Sequence, residues 1–202
     1  NAVEIASSDV NEVAVFFGIH MFRGNRCSKI STSSYNAFSS PNFPPLAEVG
    51  MDIGFNKSLI RTKKKLKLFV DFSPSVMTMR ILPGLSQGYL ESILNSPIKG
   101  IILEGYGAGN VPIGEESILP FIEMAVKKKK VVAINTQCLH GRVYLGRYQC
   151  GKKALNLGAV SCQDMTIEAS VTKLMYLIGK YKTPGKINYY FTRDIAGELT
   201  PV

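Results

Sequence analysis

Short apolar runs alternate with segments of helical period through most of this 202-residue sequence, and this alternation restricts the possible folds. The runs at 98–103 and 131–134 have the length and β-branched content of buried strands, whereas 166–180 repeats apolar residues at helical spacing. Parallel strands are joined by long crossovers, usually helices, which cover the faces of the sheet. The alternation therefore predicts an α/β fold with a mostly parallel sheet covered on both faces.

The same rules predict the remaining elements. Further strands are predicted at 12–17, 66–71 and 77–82, with a short return at 20–22. Further helices are predicted at 86–94, 115–129 and 183–194, with a helical turn at 45–50. The stretch 31–45 is rich in Ser, Asn and Pro, which predicts a long loop.

Composition excludes several classes of protein. A hydrophobic fraction of 46% with 19% charged residues excludes intrinsic disorder. No stretch approaches the roughly 20 apolar residues of a membrane span, so we expect no membrane association. The four cysteines lie far apart without a Cys-x-x-Cys motif, which argues against a zinc site or a disulfide framework and favours reduced thiols in a cytosolic protein. They are Cys27, Cys138, Cys150 and Cys162.

The net charge of +9 is concentrated in two basic runs, at 57–67 and 127–130. A nucleic-acid surface is one interpretation of such runs. The other is a solvated linker followed by the cationic end of a helix. Neither run has interleaved aromatic residues, so the second interpretation is favoured and no nucleic-acid partner is expected.

The start of the sequence is unusual. Residues 1–6 include no initiating Met and none of the regions of a signal peptide. They are typical of an amphipathic helix entered partway, so we expect this chain to be a fragment. The polar, basic segment at 56–66 is the best candidate for a domain boundary.

A glycine-rich loop follows the predicted strand at 98–103. Its spacing, Gly105-x-Gly107-x-Gly109, is not that of a dinucleotide-binding loop, so no nucleotide cofactor is expected. Ligands of open α/β sheets do gather at the carboxyl ends of strands, which makes Asn110 a candidate contact residue. A turn Asn in the left-handed conformation explains it equally well.

Other polar residues give weaker signals. The segment 135–138 follows the next predicted strand and could line the same crevice. Neither His20 nor His140 has a partner at the spacing of a metal site or a catalytic triad, so no metal is expected. Lys29 follows a predicted strand pair in a polar loop and would by default be a solvated lysine.

Several segments resemble the signature sequences of the bacterial-type cytosolic (type I) L-asparaginases, in the same order along the chain. They are Arg23-Gly-Asn-Arg-Cys-Ser-Lys29, Ser40-Pro-Asn-Phe-Pro-Pro-Leu46, Tyr106-Gly-Ala-Gly-Asn110, Asn135-Thr-Gln-Cys138, Asp164-Met-Thr-Ile-Glu-Ala169, Thr172-Lys-Leu174 and Gly197-Glu-Leu-Thr-Pro201.

The resemblance implies a domain organisation. Residues 1–55 would be the end of a Rossmann-like catalytic domain, 56–66 a basic linker, and 67–202 a smaller flavodoxin-like carboxyl-terminal domain, each a three-layer fold around a parallel sheet. The family's Thr-Gly-Gly-Thr and His-Gly-Thr-Asp-Thr motifs, which carry the threonine nucleophile, occur nowhere in these residues. The chain alone should therefore be inactive.

The resemblance also implies an activity and site residues. A threonine hydroxyl would attack the side-chain amide of L-asparagine, releasing ammonia and then aspartate, without a cofactor. Lys29 matches the family's catalytic lysine. Asn110 matches a residue that, in periplasmic relatives, reaches a neighbouring subunit's site. The implied protein is a cytoplasmic homodimer or homotetramer acting on a small molecule.

Some cytosolic relatives also bind asparagine at an allosteric site. The matching residues here are Thr136 and Cys138, with Ser28 nearby in the lysine loop. The arginine that holds the effector's carboxylate falls at Glu104, which would repel that group. Activation by asparagine is therefore expected to be lost or altered.

Two alternatives remain. The asparaginase-like component of a glutamyl-tRNA(Gln) amidotransferase shares the fold and the lysine, and a tRNA substrate would explain the basic runs. A non-catalytic module that binds an amino acid or a partner chain is the other.

Overall fold

The computed structural model describes residues 1–63, 65 and 67–201, which form two compact units, Asn1–Phe69 and Val70–Val202. The predicted boundaries at 55 and 66 stay predictions. The strand predicted at 66–71 is wrong: residue 66 lies outside the described residues, and 67–71 form no strand. Leu68 and Val70 are largely exposed, so this segment has no apolar face to bury in a sheet.

The first unit is built mainly of short strands. In chain order its elements are α1 (Ala2–Ala6), β1 (Ala14–Phe17), β2 (His20–Arg23), a 3₁₀ turn (Gly24–Arg26), β3 (Ser28–Lys29), β4 (Phe38–Ser39), β5 (Ala47–Val49) and β6 (Ile53–Phe55). One antiparallel sheet has the order β1-β2-β5-β6, and β3 pairs antiparallel with β4. Its small core is formed by Ile5, Met21, Leu46 and Ala47.

Two predictions for this unit are corrected. The helical turn predicted at 45–50 is instead strand β5, which pairs with β2 on one side and β6 on the other. Tertiary pairing overrides the local helical signal because Ala47 is only 2% exposed and its backbone joins the sheet. The loop predicted at 31–45 contains strand β4, whose partner β3 fixes its conformation.

The second unit has the predicted alternation of strands and helices. Its elements are β7 (Val76–Arg80), α2 (Gln87–Asn95), β8 (Gly100–Gly105), α3 (Leu119–Lys127), β9 (Val131–Thr136), α4 (Gln149–Asn156), β10 (Val160–Ser161), α5 (Ile167–Lys180) and α6 (Pro184–Phe191). The four strands form a parallel sheet in the order β10-β9-β8-β7. The α/β class is thereby confirmed, with the parallel strands in the second unit and antiparallel strands in the first.

Helices cover both faces of this sheet. Ile101 and Leu103 of β8 face a core shared with α2, α3 and α4, whereas Ile102 faces a core shared with α5 and α6. The strands follow one another across the sheet in chain order, so crossovers of one hand place α2, α3 and α4 on the same face. The other face is covered by the two helices that follow the last strand.

The element boundaries differ in detail from the predictions. The helix predicted at 115–129 is shorter, because α3 begins only at Leu119. Helix α4 and the two-residue strand β10 are not predicted, since α4 has few apolar residues and buries only Gly151 and Ala154. No helix in the described ranges is long and apolar enough to cross a membrane.

Candidate functional site

The six predicted site residues fall into two groups. Glu104, Asn110, Thr136 and Cys138 lie in the second unit, at or just beyond the carboxyl ends of β8 and β9. Ser28 and Lys29 form strand β3 of the first unit.

The glycine loop after β8 turns sharply. The backbone N–H of Asn110 donates to the carbonyl of Tyr106 at 2.8 Å, and the N–H of Tyr106 returns a bond of 2.9 Å to the carbonyl of Asn110. Gly109 has φ +93°, and a Cβ there would lie 2.5 Å from a methyl of Val143. Both its backbone angle and its surroundings therefore require glycine.

A hydrogen bond fixes the side chain of Asn110. The thiol of Cys150, on α4, donates to Asn110 Oδ1 at 3.1 Å. The left-handed explanation for this asparagine does not hold, because Lys129 and Gln163 are the non-glycine residues of the described part with positive φ. Asn110 is thus placed by contacts from another element, and its amide nitrogen can still donate.

The segment after β9 is hydrogen-bonded to the same edge of the sheet. The Thr136 hydroxyl donates to the carbonyl of Gly107 and accepts from the backbone N–H of Cys138 at 3.0 Å. Gln137 Nε2 donates to the carbonyls of Ile81 and Glu104, at 2.8 and 2.9 Å. Gln137 therefore joins the ends of β7 and β8, and Cys138 is left exposed beside them.

An ion pair occupies the end of the first two strands. Arg80 and Glu104 are register partners in β7 and β8, and Arg80 Nη2 lies 2.9 Å from Glu104 Oε2. The Glu104 side chain is 15% exposed and that of Arg80 is 54% exposed. A guanidinium is therefore present at this edge, but it comes from the neighbouring strand and is partly neutralised by Glu104. The sequence reasoning missed Arg80, which lies inside the strand predicted at 77–82 but is the last residue of the observed strand β7.

A cavity of about 270 Å³ opens beyond the ends of β7 and β8. Most of its wall is apolar, with the side chains of Tyr106, Gln87 and Glu116 as polar groups. The sequence-predicted residues do not line it, so the crevice expected at this edge is present but is bounded by other side chains.

In the first unit, Lys29 lies on the short β3–β4 hairpin. Its ammonium is 5.1 Å from the ring centre of Phe38, its register partner in β4, and 5.9 Å from that of Phe17. Lys29 is exposed, and within the described residues its ammonium has no hydrogen bond or ion pair. The two rings attract the cation without using its N–H donors, which can bind other groups.

Two buried arginines support this hairpin region. Arg23 binds Glu12 through two N–H groups, at 2.5 and 2.7 Å, and Arg26 donates to the carbonyl of Asn42 at 2.8 Å. Both guanidiniums lie over the ring of Phe43. These contacts fix the Arg-Gly-Asn-Arg segment that leads into Lys29.

The Glu12 carboxylate stays ionised in this buried position. Burial by itself raises the pKa of Glu12, but the bonds from Arg23 and from the backbone N–H of Arg61 outweigh it, so the pKa is lowered. The pair is therefore a structural support beside the hairpin.

The described residues contain no group of three or more His, Cys, Asp or Glu placed to hold a metal ion. His20 lies in β2, stacked on Phe22 with centroids 5.6 Å apart, and its Nε2 is 3.9 Å from Glu48. All four cysteines are free thiols.

The fold and these loops define an α/β protein whose polar segments cluster at the carboxyl edge of a parallel sheet, preceded by a unit with a supported lysine hairpin. The chain matches the family "Asparaginase, N-terminal" over residues 1–61 and "Glutaminase/Asparaginase C-terminal domain" over residues 75–191. It belongs to the asparaginase family.

Individual relatives agree with this. L-asparaginase 1 of Escherichia coli strain K12 is 34% identical over 204 residues, covering 100% of this chain and 60% of the relative. The crystal structure of L-asparaginase I from Vibrio cholerae matches with a TM-score of 0.87 and 32% identity, covering 100% of this chain and 61% of that one. One component of the glutamyl-tRNA(Gln) amidotransferase of Pyrococcus abyssi is 31% identical, with 99% of this chain and 48% of the relative covered. The chain thus spans at most about 60% of the length of these relatives.

Proposed function

We propose that this chain supplies part of an L-asparaginase, an amidohydrolase that converts L-asparagine to L-aspartate and ammonia. The observation that carries the proposal is the match to both asparaginase domains in one chain, in their family order. The Thr-Gly-Gly-Thr and His-Gly-Thr-Asp-Thr motifs are not among these 202 residues, so catalysis needs a segment that carries them.

Lys29 is the catalytic residue in this proposal. A threonine hydroxyl becomes an effective nucleophile only when a neighbouring group takes its proton. The ammonium of Lys29 is held against Phe38 at 5.1 Å with its donors unused by the described residues, which supports a role in orienting that hydroxyl and relaying its proton. The ring contact also limits the conformations of a long, flexible side chain.

Asn110 is proposed as a substrate-binding residue that acts in a neighbouring subunit of a homodimer or homotetramer. Its Oδ1 accepts from the Cys150 thiol and keeps one lone pair, and its two amide N–H groups can donate to a ligand. The four free thiols are compatible with a reducing compartment and support a cytoplasmic location.

The effector site of the family is proposed to be altered here. An effector carboxylate would meet Glu104, whose charge already holds Arg80 at 2.9 Å. We expect Glu104→Ala to strengthen asparagine binding at this edge, because it releases Arg80 and removes the repulsion. Binding that is unchanged by Glu104→Ala, measured calorimetrically in the assembled protein, would contradict this proposal.

The activity is tested in a protein that joins this chain to a segment bearing the two threonine motifs. We expect ammonia release from free L-asparagine without tRNA, and a loss of at least about 100-fold in kcat for Lys29→Ala. The matched control is Lys57→Ala, an exposed lysine of the same unit, which should retain full activity.

Two results would contradict the proposal. Activity of Lys29→Ala close to that of the parent protein would remove the catalytic assignment. Ammonia release that requires a charged tRNA would favour the amidotransferase alternative, to which the relative from Pyrococcus abyssi belongs by name. Binding of asparagine without any turnover would favour a non-catalytic module.

A further inference from the structure

A third basic segment, distinct from the two lysine runs, lies on helices α5 and α6. Residues 169–193 contain five Lys or Arg and no Asp or Glu, with Glu168 and Asp194 on either side. One of the five, Lys173, is buried and paired with Glu198, which leaves four exposed cations. We call its outer surface the aromatic–basic face, formed by Tyr176, Lys180, Tyr181, Lys182, Lys186, Tyr189, Tyr190 and Arg193. Rings and cations are interleaved along it, whereas neither lysine run contains an aromatic residue.

The rings of this face are ordered by mutual packing. Tyr181 and Tyr190 stack with centroids 4.8 Å apart and an interplanar angle of 3°. Tyr189 meets Tyr190 edge to face at 5.1 Å and 86°. Even so, Tyr189 remains 52% exposed and Tyr190 36% exposed. The tyrosine rings are therefore exposed to solvent but already ordered. A ligand ring that stacks on them would cost little further side-chain entropy.

Four exposed cations lie in the same segment as the rings. The Arg193 guanidinium lies 3.6 Å from the ring centre of Tyr189, and Lys180 donates to the Tyr176 hydroxyl at 2.7 Å. Lys182 and Lys186 are exposed, and among the described residues they have neither an ion pair nor a hydrogen bond. No acidic residue lies between positions 169 and 193, where these four cations are found.

We propose that the aromatic–basic face binds single-stranded nucleic acid, a function beyond the hydrolysis of asparagine. A single strand offers phosphates to the cations and unpaired bases to the exposed tyrosines and to the guanidinium over Tyr189. A duplex hides its bases, so it would contact the cations of the face but not stack on its rings. An anionic membrane offers charge to the cations but no flat rings to stack on the tyrosines. The proposed partner also fits the absence of acidic residues from 169–193.

The test measures fluorescence anisotropy of a labelled 16-nucleotide oligothymidylate with the 202-residue chain between 50 and 200 mM salt. Contacts from four cations predict a slope of log K against log salt of about −3, and Lys182→Gln/Lys186→Gln should reduce its magnitude by about 1.4. Tyr189→Leu should weaken binding by about 5- to 100-fold without changing the slope.

The control variant is Lys128→Gln/Lys129→Gln, which removes the same charge from the end of α3, where no ring is interleaved. We expect it to bind oligothymidylate nearly as well as the parent chain. An abasic strand of equal length should bind more weakly than oligothymidylate, because it offers phosphates without bases. Circular dichroism confirms that each variant is folded.

Several outcomes would overturn the proposal. Equal weakening by the two double variants would show that only the net charge matters. Equal affinity for the abasic strand, or no effect of Tyr189→Leu, would remove stacking from the interaction. Binding to phosphatidylserine vesicles that depends on these residues, with no binding of oligothymidylate, would assign the face to a membrane surface.

Discussion

Lys173 and Glu198 form a buried ion pair in the second unit, and removing one of the two charges should destabilise that unit. The two side chains lie on α5 and near the carboxyl end of the chain, and the residues are 6% and 3% exposed. Glu198 also accepts backbone hydrogen bonds from Ile195 and Ala196, at 3.1 and 2.6 Å, and Lys173 donates to the carbonyl of Arg193 at 2.5 Å. The pair therefore attaches the final segment of the chain to the core of the second unit.

Neutralising one partner leaves the other charge buried. Glu198→Gln keeps the size of the side chain but leaves the Lys173 ammonium unpaired, which costs about 3–5 kcal/mol in similar buried pairs. Domains of this size have total stabilities of about 5–15 kcal/mol, so a large share would be lost. With an m value of about 2 kcal/mol/M, the urea midpoint should fall by about 1.5 M or more.

The chain contains a suitable probe. It has no Trp and nine Tyr, of which only Tyr35 lies in the first unit. Tyrosine fluorescence during urea unfolding therefore reports almost entirely on the second unit. The double variant Lys173→Met/Glu198→Gln is the matched control, because it removes both charges and should be more stable than Glu198→Gln alone.

The pH dependence gives a second readout. Burial raises the pKa of Glu198, but the charge and hydrogen bond of Lys173 outweigh it, so the pKa lies below the ordinary value of 4.5. A lowered pKa in the folded state contributes stability above 4.5 that is lost as the pH falls through the folded value. Glu198→Gln should therefore lose less stability between pH 6 and about pH 3 than the parent chain. A midpoint shift equivalent to less than about 1 kcal/mol at pH 7, or a double variant no more stable than Glu198→Gln, would refute the reasoning.

Three further predictions concern other sites. Gly109→Ala should destabilise the second unit by at least about 2 kcal/mol in urea unfolding, since φ is +93° and the new Cβ would lie 2.5 Å from Val143; a cost below about 0.5 kcal/mol contradicts this. The pKa of Glu12 is lowered, so the first unit should lose stability as the pH falls below 4.5, and Glu12→Gln should lower its stability already at pH 7; equal urea midpoints of parent and variant, measured by circular dichroism, refute it. Burial lowers the pKa of Lys130 below 10.5, so the unfolded chain binds more protons between the folded value and 10.5, and stability should rise as the pH approaches 10.5, less so in Lys130→Met; identical pH profiles by circular dichroism contradict this.

Local sequence is sufficient to predict the strands and helices whose buried residues recur at a regular spacing. Strands β8 and β9 and helix α5 were predicted because their apolar periods are strong and each is buried against neighbours on the expected face. The glycine loop was placed correctly at the end of β8, because glycines at that position allow an immediate reversal of the chain. The asparaginase family was also evident from the order of the signature segments.

Other features depended on contacts between distant residues. The segment at 45–50 looks helical locally but is a strand, since β2 and β6 supply its partners. The basic run at 127–130 was interpreted as solvated, yet Lys130 is only 7% exposed and binds the carbonyls of Ser96 and Ile98. A charge pattern alone does not show which lysine of a run will donate hydrogen bonds to buried backbone carbonyls.

The sequence by itself determined the α/β class, the carboxyl edge at which polar loops gather, and the family. These follow from the hydrophobic period and from the order of the motifs, which can be recognised along the chain without knowing which distant residues are in contact. The tertiary structure alone decided that Arg80 neutralises Glu104, that Cys150 fixes Asn110, and that tyrosines of α5 and α6 join the lysines into one face. Those contacts join residues up to 40 positions apart, and their existence depends on the register of strands and the packing of helices.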